Sequence, residues 1–214
     1  MNKQIADIRK DYQKQSLLET DVAPDPFYQF NKWWDEAIKS ELDEVNAMTL
    51  ATASATGMPS ARIVLLKSVS ADGFIFFTNY NSHKGKELEE NPYACLVFFW
   101  KELERQIRIT GSIEKVSAAE SDEYFNSRPV GSRIGAWASP QSSTIPSREI
   151  IENNMVKYEQ EFAGGEISRP PHWGGYIVKP TVIEFWQGRP NRLHDRIQYS
   201  KEDCGSWKIE RLAP

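Results

Sequence analysis

Residues 48–78 read MTLATASATGMPSARIVLLKSVSADGFIFFT. Three runs within it, Met48 to Ser54, Ser60 to Val69 and Gly73 to Thr78, are rich in β-branched and aromatic residues. Ala-Thr-Gly-Met-Pro and Ser-Ala-Asp-Gly separate them, and both are turn signals. Short runs punctuated this closely predict consecutive antiparallel strands.

The pattern continues outward. Tyr93 to Trp100 and Arg105 to Val116 read as two more strands joined by Lys-Glu-Leu-Glu. His83 to Glu90 reads as a short helix stopped by Asn91-Pro92. Ser117 and Glu120 have capping-box spacing, so a helix starts there, and Pro129 ends it. Ser147 is the expected cap of a further helix with Ile151, Met155, Tyr158 and Phe162 on one face, closed by Gly164-Gly165. Strands are expected again near Gly174–Val178, Val182–Gln187, Leu193–Tyr199 and Trp207–Leu212. Upstream, Asp25-Pro26 pairs an N-cap carboxylate with proline at the first helical position. Phe27, Phe30, Trp34 and Ile38 then mark one apolar helix face. Residues 1–24 are mostly polar, with Leu17 and Leu18 their main apolar pair, and read as a loose helix. Many short strands with helices set between them give an α+β fold, a β-barrel with peripheral helices. Residues 25–214 form its one domain, preceded by an N-terminal segment, 1–24. The glycine patterns of a Rossmann turn and a P-loop are absent.

The 214 residues, 40% hydrophobic, are enough for a substantial core. A net charge of -4 and a pI near 5.5 argue against a protein that lives on nucleic acid. The positive charge is local, which suits a small anion. Cys95 and Cys204 have no metal spacing, and Cys95 lies in an apolar run as an expected buried thiol. The N-terminus has no apolar signal core, and no apolar run approaches the roughly 20 residues that span a bilayer. A soluble, cytoplasmic protein with no membrane partner is expected.

Several constellations could hold anions. Arg62 and Lys67 bracket the apolar run Ile63, Val64, Leu65 and Leu66. Five apart on a regular strand, they face opposite sides, so they serve two anions, or one if the strand bulges, or simply end a buried strand. Tyr124 and Arg128 share a helix face, and Pro129 leaves Ser132 in the following loop. A phenol, a guanidinium and a hydroxyl there suit a phosphate, and a surface Tyr–Arg stack is the plainer alternative. Ser82-His83-Lys84 opens the short helix, where free N–H groups favour an anion. Gln106, Gln141, Ser142 and Trp186 could bond the edge of a planar heterocycle or merely satisfy the core. Arg192, His194 and Arg196 alternate near the end. On a strand they form one cationic row with neighbours roughly 6–7 Å apart, unless Glu184 or Asp195 pairs with them. The three histidines lack metal spacing, and His194 and Asp195, being adjacent, cannot form a catalytic dyad.

In order along the chain stand RIVLLK, FFTN, LERQIR, YFNSRP, IGAWASPQSS, WGG, FWQGRPNRLHDR and WKIERLAP. Together they resemble the pyridoxamine 5'-phosphate oxidase family from about residue 25 to the end, and more weakly before it. The resemblance implies an FMN-binding split β-barrel, a homodimer with FMN at the subunit interface. It implies oxidation of pyridoxamine or pyridoxine 5'-phosphate to pyridoxal 5'-phosphate, with O2 as acceptor and H2O2 released. By motif, the FMN contacts are Arg62, Ile63, Val64, Leu65, Leu66, Lys67, Phe77, Thr78, His83, Lys84, Gln106, Gln141, Ser142, Trp186 and Arg196. Those for substrate are Lys67, Tyr124, Arg128, Ser132, Arg192 and His194, with Arg9 and Tyr12 closing over it. Arg192 and His194 are the implied catalytic pair, holding the pyridine ring against the flavin, and Arg196 is the cation that stabilises reduced flavin. The family usually carries arginine where this chain has His83, replacing a fixed charge by one that titrates near neutral pH. Two rivals remain: an FMN oxidase of another aromatic acid or amine, and a carrier without turnover.

Overall fold

The computed structural model describes residues 11–214. Helix α1 (Pro26–Lys39) begins as its sequence dictates: the Asp25 carboxylate accepts the N–H groups of Phe27 and Tyr28. Its buried side is Gln29, Phe30, Trp33 and Ala37, and Ile38 is exposed. The stripe is therefore rotated from the expected 27/30/34/38 face. Trp33 decides the rotation: it meets Phe185 edge-on at 5.2 Å, and the Arg105 guanidinium covers its other face at 4.4 Å. Residues 11–24 contain no helix, contrary to expectation, and of their leucine pair only Leu17 is buried.

The strands β1 (Ala47–Ala53), β2 (Pro59–Leu65), β3 (Ser68–Ser70) and β4 (Gly73–Asn79) follow. The expected run Ser60 to Val69 is broken at Leu66-Lys67, where Lys67 N–H bonds Ile75 O at 2.9 Å. Next come α2 (His83–Glu90), β5 (Tyr93–Trp100) and β6 (Arg105–Lys115). Helix α3 (Ala118–Ser127) carries the full capping box of Ser117 and Glu120. The loop expected after Pro129 is instead a helix, α4 (Val130–Ala138), which places Ser132 on a helix. Pro129 ends one helix and, having no N–H to lose, serves as the N-cap of the next. Helix α5 (Glu149–Glu161) starts later than expected. Its N-cap is Arg148, and Ser147 provides no side-chain cap.

The two strands expected around residue 180 are one, β7 (Trp173–Gln187). Its first part pairs with β4 (Phe74↔Val178 through Asn79↔Trp173), and its last part pairs with β8 (Asp195–Lys201), Val182↔Ser200 through Gln187↔Asp195. Pro180 falls in the gap between these partners, where a missing N–H is harmless. Strand β9 (Trp207–Leu212) pairs with β8. The hydrogen-bonded order is β2-β1-β5-β6-β7-β4-β3, with β8 on β7 and β9 on β8.

The chain forms two compact units. One comprises Met1–Thr49 (described from residue 11), Cys95–Gly111 and Pro180–Pro214; its core includes Phe30, Trp33, Phe98, Phe185, Ile197 and Tyr199. The other comprises Leu50–Ala94 and Ser112–Lys179. There Phe125, Ile134, Ile167 and Trp173 pack with Met155, Tyr158 and Phe162 of the α5 face. Cys95 is half-buried and Cys204 exposed, and both are free thiols. No helix among the described residues is long and apolar enough to cross a membrane.

Candidate functional site: a cationic cavity and an aromatic strap

The unit built on Leu50–Ala94 and Ser112–Lys179 holds an open cavity of about 530 Å³. Arg62, Ile63, Val64, Leu65 and Lys67 line one side. The break after β2 lets both Arg62 and Lys67 line it, although five apart on a regular strand they would face opposite sides. Leu66, between them, is buried instead. Tyr124, Arg128 and Ser132 line another side, and Phe77, Thr78, Lys84, Gln141 and Trp173 complete it.

Phe77 stacks on Tyr124 with centroids 4.0 Å apart and on Trp173 at 5.5 Å, giving an aromatic wall. The Arg128 guanidinium lies 4.6 Å from the Trp173 centroid, and its Nη1 is buried with no hydrogen-bond acceptor among the described residues. Burial lowers the Arg128 pKa, with Tyr124 opposing. Lys84 is buried, and its Nζ donates to Thr78 Oγ1 (3.1 Å), Ser82 Oγ (3.3 Å) and Gln141 Oε1 (3.0 Å), all neutral acceptors. Desolvation lowers its pKa, and Arg62 pushes the same way. Ser82 caps α2, accepting the Gly85 N–H. Gly85 is required because a Cβ there would stand 2.0 Å from Tyr80 O.

His83 does not line the cavity. Two-thirds exposed, it reaches back to Glu87, Nε2 to Oε1 at 3.1 Å. Glu87 also accepts from Ser60, Thr52 and Arg62. Burial opposes its ionisation, but those bonds and the nearby His83 hold it below the usual carboxylate range. Sequence reasoning missed Glu87, Ser60 and Thr52, which share no motif, although the acid at i+4 from His83 was a readable signal. Ser142 is exposed in left-handed backbone (φ 67), one residue beyond the cavity-lining Gln141.

The remaining expected residues lie in the other unit, and the structure does not form them into a row. Strand β8 begins only at Asp195, so the alternation read from Arg192 does not hold. Arg192 is exposed with φ 62, after Asn191 with φ 57, in a tight turn. His194 leaves the turn and packs on Trp186, centroids 4.5 Å apart, with Tyr12 edge-on to both at 5.8 and 6.0 Å. The Arg189 backbone N–H donates to His194 Nδ1 at 3.1 Å. That bond fixes the tautomer: Nδ1 is the acceptor and Nε2 carries the proton. Burial lowers the His194 pKa, Arg192 adds to the effect, and Asp195 opposes it.

Arg196 is bound side-on by buried Glu184 through two bonds of 3.0 Å, so its charge is matched within the chain. Asp195 accepts the Leu17 N–H and an Arg211 guanidinium bond. Gln106 is half-buried on β6. Arg9 lies outside the described residues. The described residues contain no cluster of His, Cys, Asp or Glu fit for a metal ion.

Residues 34–161 match the family model for pyridoxamine 5'-phosphate oxidase, and 173–214 match that for the pyridoxine 5'-phosphate oxidase C-terminal dimerisation region. A pyridoxine/pyridoxamine 5'-phosphate oxidase from Cyanothece sp. is 60% identical over 210 residues, covering 98% of each chain. The enzyme of that name from Nostoc punctiforme is 58% identical over the whole of both chains. Among solved structures, PhzG from Burkholderia lata 383, in complex with tetrahydrophenazine-1-carboxylic acid, superposes with TM-score 0.87 at 30% identity, over 94% of this chain and 98% of that one. A pyridoxamine 5'-phosphate oxidase-related, FMN binding protein from Nostoc punctiforme has TM-score 0.71 at 17% identity, over 90% of this chain and all of that one. Both share the fold, a split barrel.

Proposed function

The chain belongs to the pyridoxamine 5'-phosphate oxidase family, and from that premise we propose that it uses FMN to oxidise pyridoxamine or pyridoxine 5'-phosphate to pyridoxal 5'-phosphate. The observation that carries the reading is Arg128 Nη1, a buried cationic donor with no acceptor among the described residues. A buried donor left this way costs about 1–3 kcal/mol unless something accepts from it. Lys67 and Lys84 line the same cavity without a carboxylate partner among the described residues. An anion with several oxygens fits that donor set, and phosphate is common to cofactor and substrate.

Arg62, Thr78 and Lys84, beside the N-terminus of α2, would hold the FMN phosphate. Lys67, Tyr124, Arg128 and Ser132 would hold that of the substrate. FMN, when bound, supplies a two-electron acceptor for hydride from the substrate's C4' carbon. The protein's part is position and charge. Neutral His194 presents its Nε2 proton as a donor beside the Trp186 ring, and Tyr12 stands edge-on to both rings. Arg192 in its exposed turn is free to close on the substrate ring. With Arg196 matched by Glu184, the positive charge beside them comes from the set Arg196, Arg108 and Glu184, which sums to one cation.

The C-terminal region supports a homodimer, with FMN sites at the subunit interface and residues 1–24 as a lid over substrate. O2 takes up the electrons: amine, water and O2 give aldehyde, ammonia and H2O2, and the alcohol gives aldehyde and H2O2. The test is the absorption spectrum of the purified protein. Flavin bands that bleach on anaerobic addition of pyridoxamine 5'-phosphate, with peroxide on readmitting air, are expected. Flavin that stays oxidised under those conditions refutes the proposal.

A further inference from the structure

Glu104 lies four residues before Arg108, in left-handed backbone (φ 55) that closes the turn Lys101–Leu103. Its carboxylate is buried. Oε2 accepts two consecutive main-chain N–H groups from the N-terminal strap, Gln13 at 3.0 Å and Lys14 at 3.1 Å. The strap here is neither helix nor strand, so its N–H groups have no ladder to join. The same residue's carbonyl accepts Gly188 N–H at 2.7 Å and Gln187 Nε2 at 3.2 Å. One residue thus ties the strap, by its side chain, to the end of β7, by its backbone.

Both tied segments carry an aromatic of the site. Tyr12 immediately precedes Gln13, and Trp186 immediately precedes Gln187. Gly188 completes the fit: a Cβ there would stand 2.7 Å from Tyr12 Cγ. The near end of the tyrosine, not its flexible tip, would be struck, so the strap itself would have to move. Tyr12 is therefore located from the main chain by Glu104 and from the ring side by the bare face of Gly188.

We propose that Glu104 is a positioning residue for substrate, seating Tyr12 over the Trp186–His194 pair; this rests on the oxidase reading above. Glu104 bonds the main chain of Gln13 and Lys14 on the strap and Gly188 and Gln187 at the end of β7, so its effect on substrate passes through Tyr12. Glu104→Gln removes the charge that strengthens both bonds and sets an amide N–H near two others. The Michaelis constant for pyridoxamine 5'-phosphate should rise about tenfold. Turnover at saturation and FMN affinity should change little. In a Tyr12→Ala background the same substitution should add nothing. Gly188→Ala, with Glu104 intact, should give the same signature. In the ligand-free protein, hydrogen exchange at the Gln13 and Lys14 amides should accelerate in Glu104→Gln.

An equal rise in the Tyr12→Ala background would overturn the proposal. So would joint losses of turnover, substrate affinity and FMN affinity, which mark general structural damage, or unchanged exchange at the two amides. If the wild-type protein oxidises no pyridoxamine 5'-phosphate, the oxidase reading fails by itself, and the exchange measurement still decides whether Glu104 clamps the strap.

Discussion

Lys84→Met tests whether the cavity's charge is kept for a ligand or for the fold. Methionine nearly preserves length and volume and deletes the ammonium. In the folded protein that ammonium is buried against three neutral acceptors. Removing it leaves little unsatisfied: Ser82 Oγ still donates to Asn79 O and accepts from Gly85, and Gln141 is exposed to water. A buried charge without a counter-ion opposes folding, so the ligand-free variant should be more stable by about 1 kcal/mol. For a chain of this size that is a melting temperature about 2–4 °C higher. FMN affinity should move the other way. Loss of a charge-assisted bond to phosphate, worth about 1.5–3 kcal/mol, weakens binding roughly 10- to 150-fold. The assays are thermal melts of apoprotein and flavin-fluorescence titrations. The pH dependence has a definite sign. Lys84 has a lowered folded-state pKa, so the unfolded chain binds more protons above it. Wild-type apoprotein should gain stability relative to Lys84→Met as pH rises toward 10.5, the ordinary lysine value. An apoprotein that melts several degrees lower, together with weaker FMN binding, would refute the argument and make Lys84 structural.

Three further outcomes are expected. Arg128→Ala should raise the Michaelis constant for pyridoxamine 5'-phosphate by about 10- to 150-fold while leaving any reaction of unphosphorylated pyridoxamine unchanged; equal losses on both would show that Arg128 does not read the phosphate. His83→Ala, which removes the ring that shares Glu87 with Arg62, leaves Glu87 to offset Arg62 alone and should lower FMN affinity by about two- to fivefold; unchanged affinity would remove His83 from the site. The folded His194 ring takes its proton less readily than the ordinary value of 6.5, so stability and substrate affinity should drop as pH falls below that value and the Arg189 N–H bond breaks; His194→Asn, which keeps an acceptor for that N–H, should flatten the acid limb of the affinity profile.

Local chemistry made much of the fold legible. Strand β5, helix α2 and the capped start of α3 lie where turn residues, Asn91-Pro92 and the Ser117–Glu120 box put them, because their signals sit within a few residues of the boundaries they set. The failures share a cause. Helix α4 follows Pro129 directly and contains Gly131 and Gly135, so its propensity is poor. What sustains it is Ile134 packed into the cluster of Phe125 and Trp173, a contact invisible to a local window. Strand β7 runs through Pro180 because its partners change there. The α1 stripe turned because Arg105, far along the chain, covers Trp33. Tertiary contact overrode propensity in each case.

The site was harder to read for a reason that lies in charge. A sequence shows where cations stand but not which are matched. Arg62, Arg105, Arg128 and Arg196 look alike in a motif. In the fold Arg105 pairs with Glu36, Arg196 with Glu184, and Arg62 with Glu87. Arg128 pairs with no carboxylate, and neither do Lys67 and Lys84, among the described residues. Each matched arginine meets an acid at least 12 residues away along the chain, beyond any local rule. Folding thus matches some of these charges within the chain, as braces, and leaves others without a carboxylate. Of the latter, Lys84 and the Arg128 Nη1 are buried while Lys67 is exposed, so on the proposed reading it is the desolvation of Lys84 and Arg128 that a phosphate would offset. The alternation from Arg192 to Arg196 suggested three equivalent cations; instead it holds one brace, one neutral imidazole and one exposed arginine in a strained turn.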